Sequence, residues 1–230
     1  NTPGGGAVES DLMYHYLMQY KEQFKVPVYA FVRGMCASGG MLVSSSADKI
    51  YSIPSGIVGS VGTILGPNFN VTGLMEKVGI TQVTLSEGKD KGMLSPFREW
   101  KEGEYDSLKA ILAADYESFV DTVSKARPRL SKEKLITEYG AQVYTPVKAQ
   151  ELGYIDNGNS SYREAVGDLA AAASITGPYQ VVSLKVQRSI LEDLVEGRLS
   201  WMRGEMRHTF DLPLPIPPEL AGKSLHMYLP

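Results

Sequence analysis

Cysteine is nearly absent from this sequence, which has a single one, Cys36, in 230 residues. A lone cysteine cannot form a disulfide within the chain, so the composition excludes a disulfide-stabilised scaffold. The sequence also contains no run of about 18 apolar residues, the length that a membrane-spanning helix requires. What remains is an ordinary globular composition, 43% hydrophobic, that suits one large α/β domain or a domain with an extension.

An excess of basic residues is missing as well. Lysine and arginine number 23 against 26 acidic residues, and no segment is densely basic, which argues against nucleic acid as a partner. Histidine is scarce, with only His15, His208 and His226. We expect neither a metal ion nor a cofactor.

The chain opens on NTPGGG, a turn sequence with no predicted element before it and no signal peptide. We therefore expect it to be a fragment of a longer protein whose N-terminal part is missing.

Strand patterns and helix patterns alternate along the chain, which predicts crossover units and a mainly parallel sheet. β-branched and aromatic residues favour strands, and apolar residues at spacings of three and four favour helices. The expected helices are 8–24, 39–47, 70–80, 101–126, 131–140, 145–153, 162–174 and 189–202, and the expected strands are 26–32, 48–54, 81–87 and 179–186. The last 20 residues are rich in proline and should form an extended arm or a disordered tail.

The segment MCASGG carries one serine, Ser38, among small residues just after a predicted strand. Ser38 could be no more than a small residue in a tight strand-to-helix junction, with Gly39 and Gly40 letting the helix pack closely. It could also be a nucleophile, because the first turn of a helix offers unpaired N–H groups to an oxyanion. The N–H of Gly39 would be the first donor.

A second oxyanion donor could come from NTPGGG, where Gly4 and Gly5 offer backbone N–H groups. A glycine loop before a helix also resembles a phosphate site, but this one lacks the lysine and the spacing of the known phosphate-binding loops.

A serine nucleophile needs a base, and no histidine follows a predicted strand. Lysine is the other choice, and it works only where burial lowers the amine pKa from about 10.4 towards neutrality. The segment SEGKDKGMLSPF offers Lys89 and Lys91, although both could be solvated loop residues. Ser60 of GSVG could orient the amine, or could be an ordinary turn serine.

The segments NTPGG, CASGG, GSVG and GKDKGMLSPFRE, in this order and at similar separations, resemble the signal peptide peptidase A family of serine peptidases. The resemblance covers about residues 1–182. It implies a Clp-protease/crotonase-like α/β fold, Ser38 as nucleophile, Lys91 as general base with Lys89 as the less favoured register, and Ser60 as the hydroxyl that orients the lysine. Gly4 and the N–H of Gly39 would form the oxyanion hole.

The resemblance is to the short form of the family, because both dyad residues lie on one unit. It implies a ring- or dome-shaped homo-oligomer whose dyad is completed between neighbouring subunits, held at the extracytoplasmic side of the cell membrane by an N-terminal anchor. The implied substrates are remnant signal peptides or other apolar membrane-derived peptides. We expect a peptidase domain at 1–185, and a C-terminal helix and proline-rich arm at 186–230.

Two other functions stay open from sequence: a crotonase-like enzyme acting on acyl-coenzyme A, and a catalytically inactive scaffold subunit. The apolar end SLHMYLP could also lie in a substrate groove of its own or a neighbouring subunit.

Overall fold

The computed structural model describes residues 1–184, of which Asn1–Tyr179 form one compact unit. The expected boundary at residue 185 stays a prediction. The expected helix at 189–202, the proline-rich arm, His208 and His226 lie outside the described residues.

The described helices and strands alternate as the sequence patterns indicate. In chain order they are α1 (Ala7–Phe24), β1 (Tyr29–Val32), β2 (Met35–Ala37), α2 (Gly39–Ser44), β3 (Lys49–Ser52), β4 (Ile57–Gly59), α3 (Thr72–Val78), α4 (Asp106–Ala126), α5 (Lys132–Lys134) running into a π-turn (Leu135–Tyr139), β5 (Val143–Tyr144), α6 (Pro146–Leu152) and α7 (Tyr162–Ala172).

The strands pair mainly in parallel. β1 pairs with β3, and β2 pairs with β4 in the register Ala37↔Gly59, while β5 adds to β4 antiparallel. Between β1 and β4 the chain forms two strands, the helix α2 and then two further strands. The first strand before α2 pairs with the first strand after it, and the second pairs with the second. The predicted α/β class with a mainly parallel sheet and a crossover helix is confirmed.

Local signals account for several helix ends. Thr145 begins α6, because its hydroxyl accepts a hydrogen bond from the N–H of Lys148 and Pro146 occupies the first helical position. Gly153 ends it in the left-handed conformation at φ 98°. Ser161 and Glu164 form a reciprocal capping box at the start of α7.

Two strand predictions need correction. Residues 81–87 form no strand, and neither do residues 179–184, the described part of the strand expected at 179–186. The strand expected at 26–32 is confirmed as β1, but a second strand that was not predicted, β2, follows it after a bend at Arg33 and Gly34 and leads into Ser38. A three-residue strand rich in small residues is too short for a periodic signal.

The core is built around α2, the strands and the C-terminal half of α4. Its fully buried side chains include Met41, Ile50, Val58, Val61, Val120, Val123, Leu135, Tyr154 and Ile155. Each such apolar side chain contributes about 1.5–3 kcal/mol of transfer free energy. By contrast, much of the apolar surface of α1 and of the segment 63–97 is exposed. Within residues 1–184, no helix has the length and apolar content needed to cross a membrane.

Candidate active site

Three parallel segments end together at one edge of the sheet. The N-terminal segment runs along β2, since Thr2 N–H donates to Met35 O (2.8 Å) and Ala37 N–H donates to Thr2 O (3.2 Å). On the other side of β2 lies β4, and the N–H of Ser38 donates to Gly59 O at 3.0 Å. Adjacent strands are about 4.8 Å apart. Gly4, Ser38 and Ser60, the residues that follow these segments, therefore lie side by side.

Ser38 has a backbone conformation that a side chain rarely adopts, with φ 52° and ψ −122°. An ordinary serine at a helix start has extended backbone and accepts a hydrogen bond from the first turn. Ser38 precedes α2 but forms no such capping bond. A conformation of this kind costs about 1–3 kcal/mol and is concentrated at functional sites. It leaves the half-buried hydroxyl uncommitted to the helix.

Ser60 repeats this arrangement at the end of the neighbouring strand. It also has a positive φ, 57°, and its N–H donates to Gln142 O at 2.7 Å. Its side chain is half-buried. The strand register thus places the two predicted site serines at equivalent positions.

Gly4 packs directly against the Ser38 turn. Its φ is +110°, and a Cβ here would lie 2.8 Å from Ser38 Cβ and 3.0 Å from Gly39 N, so only glycine fits. The Gly4 N–H itself donates to Thr2 Oγ1 at 3.1 Å. The amides of Gly5 and Gly39 make no hydrogen bond among residues 1–184. Gly5 and Gly39 are therefore the uncommitted donors beside Ser38.

Ser10 is a site residue that the sequence patterns did not reveal. It is the one residue of α1 classed as buried, its hydroxyl donates to Gly6 O at 2.9 Å, and a Cβ on Gly39 would overlap it. The sequence did offer one signal for Ser10, namely a serine in the first turns of the helix that follows the glycine loop. Ser10 holds the glycine loop and the Gly39 backbone together.

A cavity of about 490 Å³ opens beside Ser38. Gly5 and Gly39 lie on its wall, and its apolar surface comes from α1, α2, α4 and the segment after β4. Those apolar side chains are Val8, Leu12, Leu42, Ile64, Leu112 and Phe119. Asp11 and Asp115 also line it, but no lysine, arginine or histidine among the described residues does.

Within one chain, the predicted base does not reach this cavity. Lys89 and Lys91 both lie in an exposed turn, where the N–H of Lys91 donates to Gly88 O at 3.3 Å. The single chain therefore brings together Ser38, the predicted nucleophile, with the candidate oxyanion donors and Ser60, but not with either predicted lysine.

The other titratable candidates near Ser38 are unsuited to a catalytic role. His15 is an exposed residue of α1 whose Nε2 lies 3.5 Å from Asp11 Oδ1, and it does not line the cavity. Burial raises the pKa of the Cys36 thiol, against a smaller opposing effect of its contact with Ser44. Cys36 is thus protonated at neutral pH. No group of three or more histidine, cysteine or acidic residues within 1–184 is placed to hold a metal ion.

Comparison with known proteins identifies the family. Residues 20–176 match the family model described as Peptidase family S49. The chain therefore belongs to peptidase family S49, a result that confirms the signal peptide peptidase A resemblance. The parallel strand pairing above agrees with the α/β class that this resemblance implies.

Individual relatives share about 30% of their residues with this chain. A "Serine protease SPPA, chloroplastic" of Arabidopsis thaliana is 28% identical over 84% of this chain and 27% of its own length. "Protease 4" of Haemophilus influenzae is 30% identical over 72% of this chain and 26% of its own. A Brucella abortus protein named "Na(+)/H(+) antiporter NhaA" is 30% identical over 73% of this chain and 23% of its own. The chain thus spans about a quarter of the length of these relatives.

Among solved structures, an enoyl-CoA hydratase/isomerase family protein from Hyphomonas neptunium is 15% identical. The match covers 69% of this chain and 42% of that one, with a TM-score of 0.34.

Proposed function

We propose that this chain is the catalytic unit of a serine peptidase in which Ser38 is the nucleophile. The observation that carries the proposal is the strained backbone of Ser38, whose hydroxyl does not cap its own helix, beside the amides of Gly5 and Gly39, which make no hydrogen bond within residues 1–184. Two such backbone amides can stabilise the oxyanion that forms when a hydroxyl attacks a peptide carbonyl. We assign the second donor to Gly5, with Gly4 shaping the turn.

The base is Lys91 of a neighbouring subunit in a ring- or dome-shaped homo-oligomer. Within residues 1–184, no lysine, arginine or histidine lines the cavity beside Ser38, while Lys91 lies on a segment whose apolar side chains are exposed in the single chain. Ile64 is 85% exposed and Leu85 93% exposed, and apolar residues of α1 are exposed too. Exposed apolar patches of this kind mark protein interfaces. Burial in that interface would also keep the amine uncharged.

The reaction proceeds in two steps, the formation of an acyl-enzyme and its hydrolysis. The neutral Lys91 amine takes the proton of Ser38 as Oγ bonds to the peptide carbonyl carbon, and the oxyanion is held by backbone N–H groups. The C–N bond then breaks, the lysine proton goes to the leaving amine, and an acyl-enzyme remains. Lys91 then takes a proton from water as the water oxygen bonds to the acyl carbon, and it returns that proton to Ser38 Oγ as the ester bond breaks and the acid leaves. Ser60 orients the amine throughout.

The substrate is an extended apolar peptide, such as a remnant signal peptide or another fragment of a membrane protein. The apolar wall of the cavity suits such side chains, and an extended peptide can lie along a strand edge. We place the protein at the cell membrane, anchored through an N-terminal segment with its catalytic unit on the extracytoplasmic side.

Two substitutions and one probe test the proposal. Ser38→Ala and Lys91→Ala should each abolish peptide hydrolysis while thermal unfolding is unchanged, and Lys89→Ala should stay active as the matched control. A fluorophosphonate probe should label Ser38 in the wild type. Full activity of Lys91→Ala would rule out the serine–lysine dyad. Failure of the probe to label Ser38 would favour a catalytically inactive scaffold subunit.

The pH dependence of the rate offers a further check. Activity should fall as pH is lowered, because a protonated amine cannot accept the Ser38 proton. A rate that is flat between about pH 5 and pH 9 would contradict a lysine base.

An acyl-coenzyme A enzyme is the second candidate, because Asp11 and Asp115 line the cavity and carboxylates commonly perform acid–base work. Coenzyme A should raise the unfolding temperature if this candidate is right and should leave it unchanged for a peptidase.

A further inference from the structure

The turn that carries Lys91 is tied down by one arginine. The guanidinium of Arg98 donates through Nη2 to Gly92 O at 2.6 Å and through Nη1 to Glu99 O at 2.8 Å. The same Nη2 pairs with Glu104 Oε2 at 2.8 Å. The first of these contacts holds the residue immediately after Lys91.

Glu104 is unusual for a residue in an otherwise exposed region. Its side chain is only 1% exposed, whereas its neighbours Lys101 and Glu102 are exposed. Its Oε1 accepts a long hydrogen bond, 3.4 Å, from Leu94 N–H. Burial alone would raise the pKa of Glu104, but hydrogen bonds from Arg98 and from backbone amides outweigh it and lower the pKa below its ordinary value. The carboxylate is thus charged at neutral pH.

Further hydrogen bonds join the same turn to the helices on either side. Asn70 donates to Arg98 O at 2.8 Å and Val71 N–H donates to Pro96 O at 2.8 Å, just before α3. Trp100 Nε1 closes the turn by donating to Ser95 O at 2.7 Å. Glu104 in turn lies two residues before α4, the helix that also lines the Ser38 cavity.

A charged carboxylate is costly to bury unless it is paired, and a buried ion pair is weak evidence of a role in stability. We propose that Arg98 and Glu104 are positioning residues that clamp the turn 88–100 onto the start of α4, so that Lys91 is presented in one fixed place to the neighbouring Ser38. This inference rests on the proposed function, in which Lys91 is the base. Neither Arg98 nor Glu104 lines the Ser38 cavity of the same chain.

Limited proteolysis tests the clamp without reference to activity. Trypsin cleavage after Lys89 and Lys91, followed by mass spectrometry, should become at least several-fold faster in Arg98→Met and Glu104→Gln than in the wild type. Cleavage after Lys132 and Lys134, on α5, should not change. Glu102→Gln is the matched control, because Glu102 is exposed and two residues from Glu104. Unchanged cleavage after Lys91 in both variants would overturn the inference, and so would acceleration at every site, which indicates global loosening.

Steady-state kinetics tests whether the clamp matters to the reaction. Arg98→Met and Glu104→Gln should lower kcat by about 10- to 100-fold, the effect of a displacement near 1 Å, with KM unchanged. Arg98→Lys keeps the charge but loses the planar fork, so it should recover only part of the rate. A wild-type kcat in both variants, together with an inactive Lys91→Ala, would overturn the clamp while the dyad stands. An active Lys91→Ala would instead remove the proposed function.

Discussion

At the scale of single residues, the site depends on backbone conformations that side chains tolerate poorly. Ser38 and Ser60 both have positive φ, and Gly4 fills a position where no side chain fits. A tight turn of this type can be suspected from the glycines in the sequence. The hydrogen bond from the Gly4 N–H to Thr2 Oγ1 is a local turn of a kind that threonine commonly forms. The contact of Ser10 with Gly39 could not be predicted, because it depends on how α1 packs against the start of α2.

Gly4→Ala should inactivate the protein. The new Cβ would meet Ser38 Cβ at 2.8 Å, and φ +110° would be strained, so we expect a loss of about 1–3 kcal/mol in unfolding free energy as well. Gly167→Ala is the matched control, since a Cβ there has nothing within 4 Å. Because Gly167 lies inside α7, that change should stabilise by up to about 1 kcal/mol. If a denaturant titration gave the same change in unfolding free energy for Gly4→Ala and Gly167→Ala, the packing of Gly4 on Ser38 would be contradicted.

At the scale of elements, sequence patterns identified the helices well because each has its own periodicity or caps. The strand expected at 81–87 was wrong for a physical reason: a strand needs a partner, and within the described residues Val83 and Leu85 are 87% and 93% exposed. Strand β2 was missed because three residues carry no period. The clamp at Arg98 and Glu104 was also invisible, since the sequence does not say which acidic residue is buried.

The end of α4 is joined to the sheet by an ion pair between the buried Arg127 and the partly exposed Asp156. Arg127 Nη2 lies 2.7 Å from Asp156 Oδ2, which also accepts a hydrogen bond from Ile50 N–H at 2.7 Å. Arg127→Met should leave the partly exposed carboxylate without its cation and lower the unfolding free energy by about 1–3 kcal/mol. Arg129→Met, at an exposed position two residues away, should change it by less than about 0.5 kcal/mol. A stable Arg127→Met protein in a urea titration would show that the pair does not hold α4 in place.

At the scale of the whole molecule, one chain holds all parts of the proposed machinery, but in two places. Ser38, the amides of Gly5 and Gly39 and the cavity are at one edge of the sheet, and Lys91 is on an exposed turn outside that cavity. The four motifs predicted the candidate residues and a role for each. They could not give the distance between Ser38 and Lys91, because the spacing of motifs along one chain does not specify how several copies assemble.

The most direct measurement mixes two inactive proteins. Ser38→Ala and Lys91→Ala subunits are unfolded or dissociated together, reassembled in equal amounts and assayed for peptide hydrolysis. If each site takes Ser38 from one subunit and Lys91 from its neighbour, random assembly should restore about one quarter of the wild-type activity. Mixing either variant with itself is the control. No activity in the mixture, from subunits that have reassembled to the wild-type mass, would contradict a dyad shared between subunits.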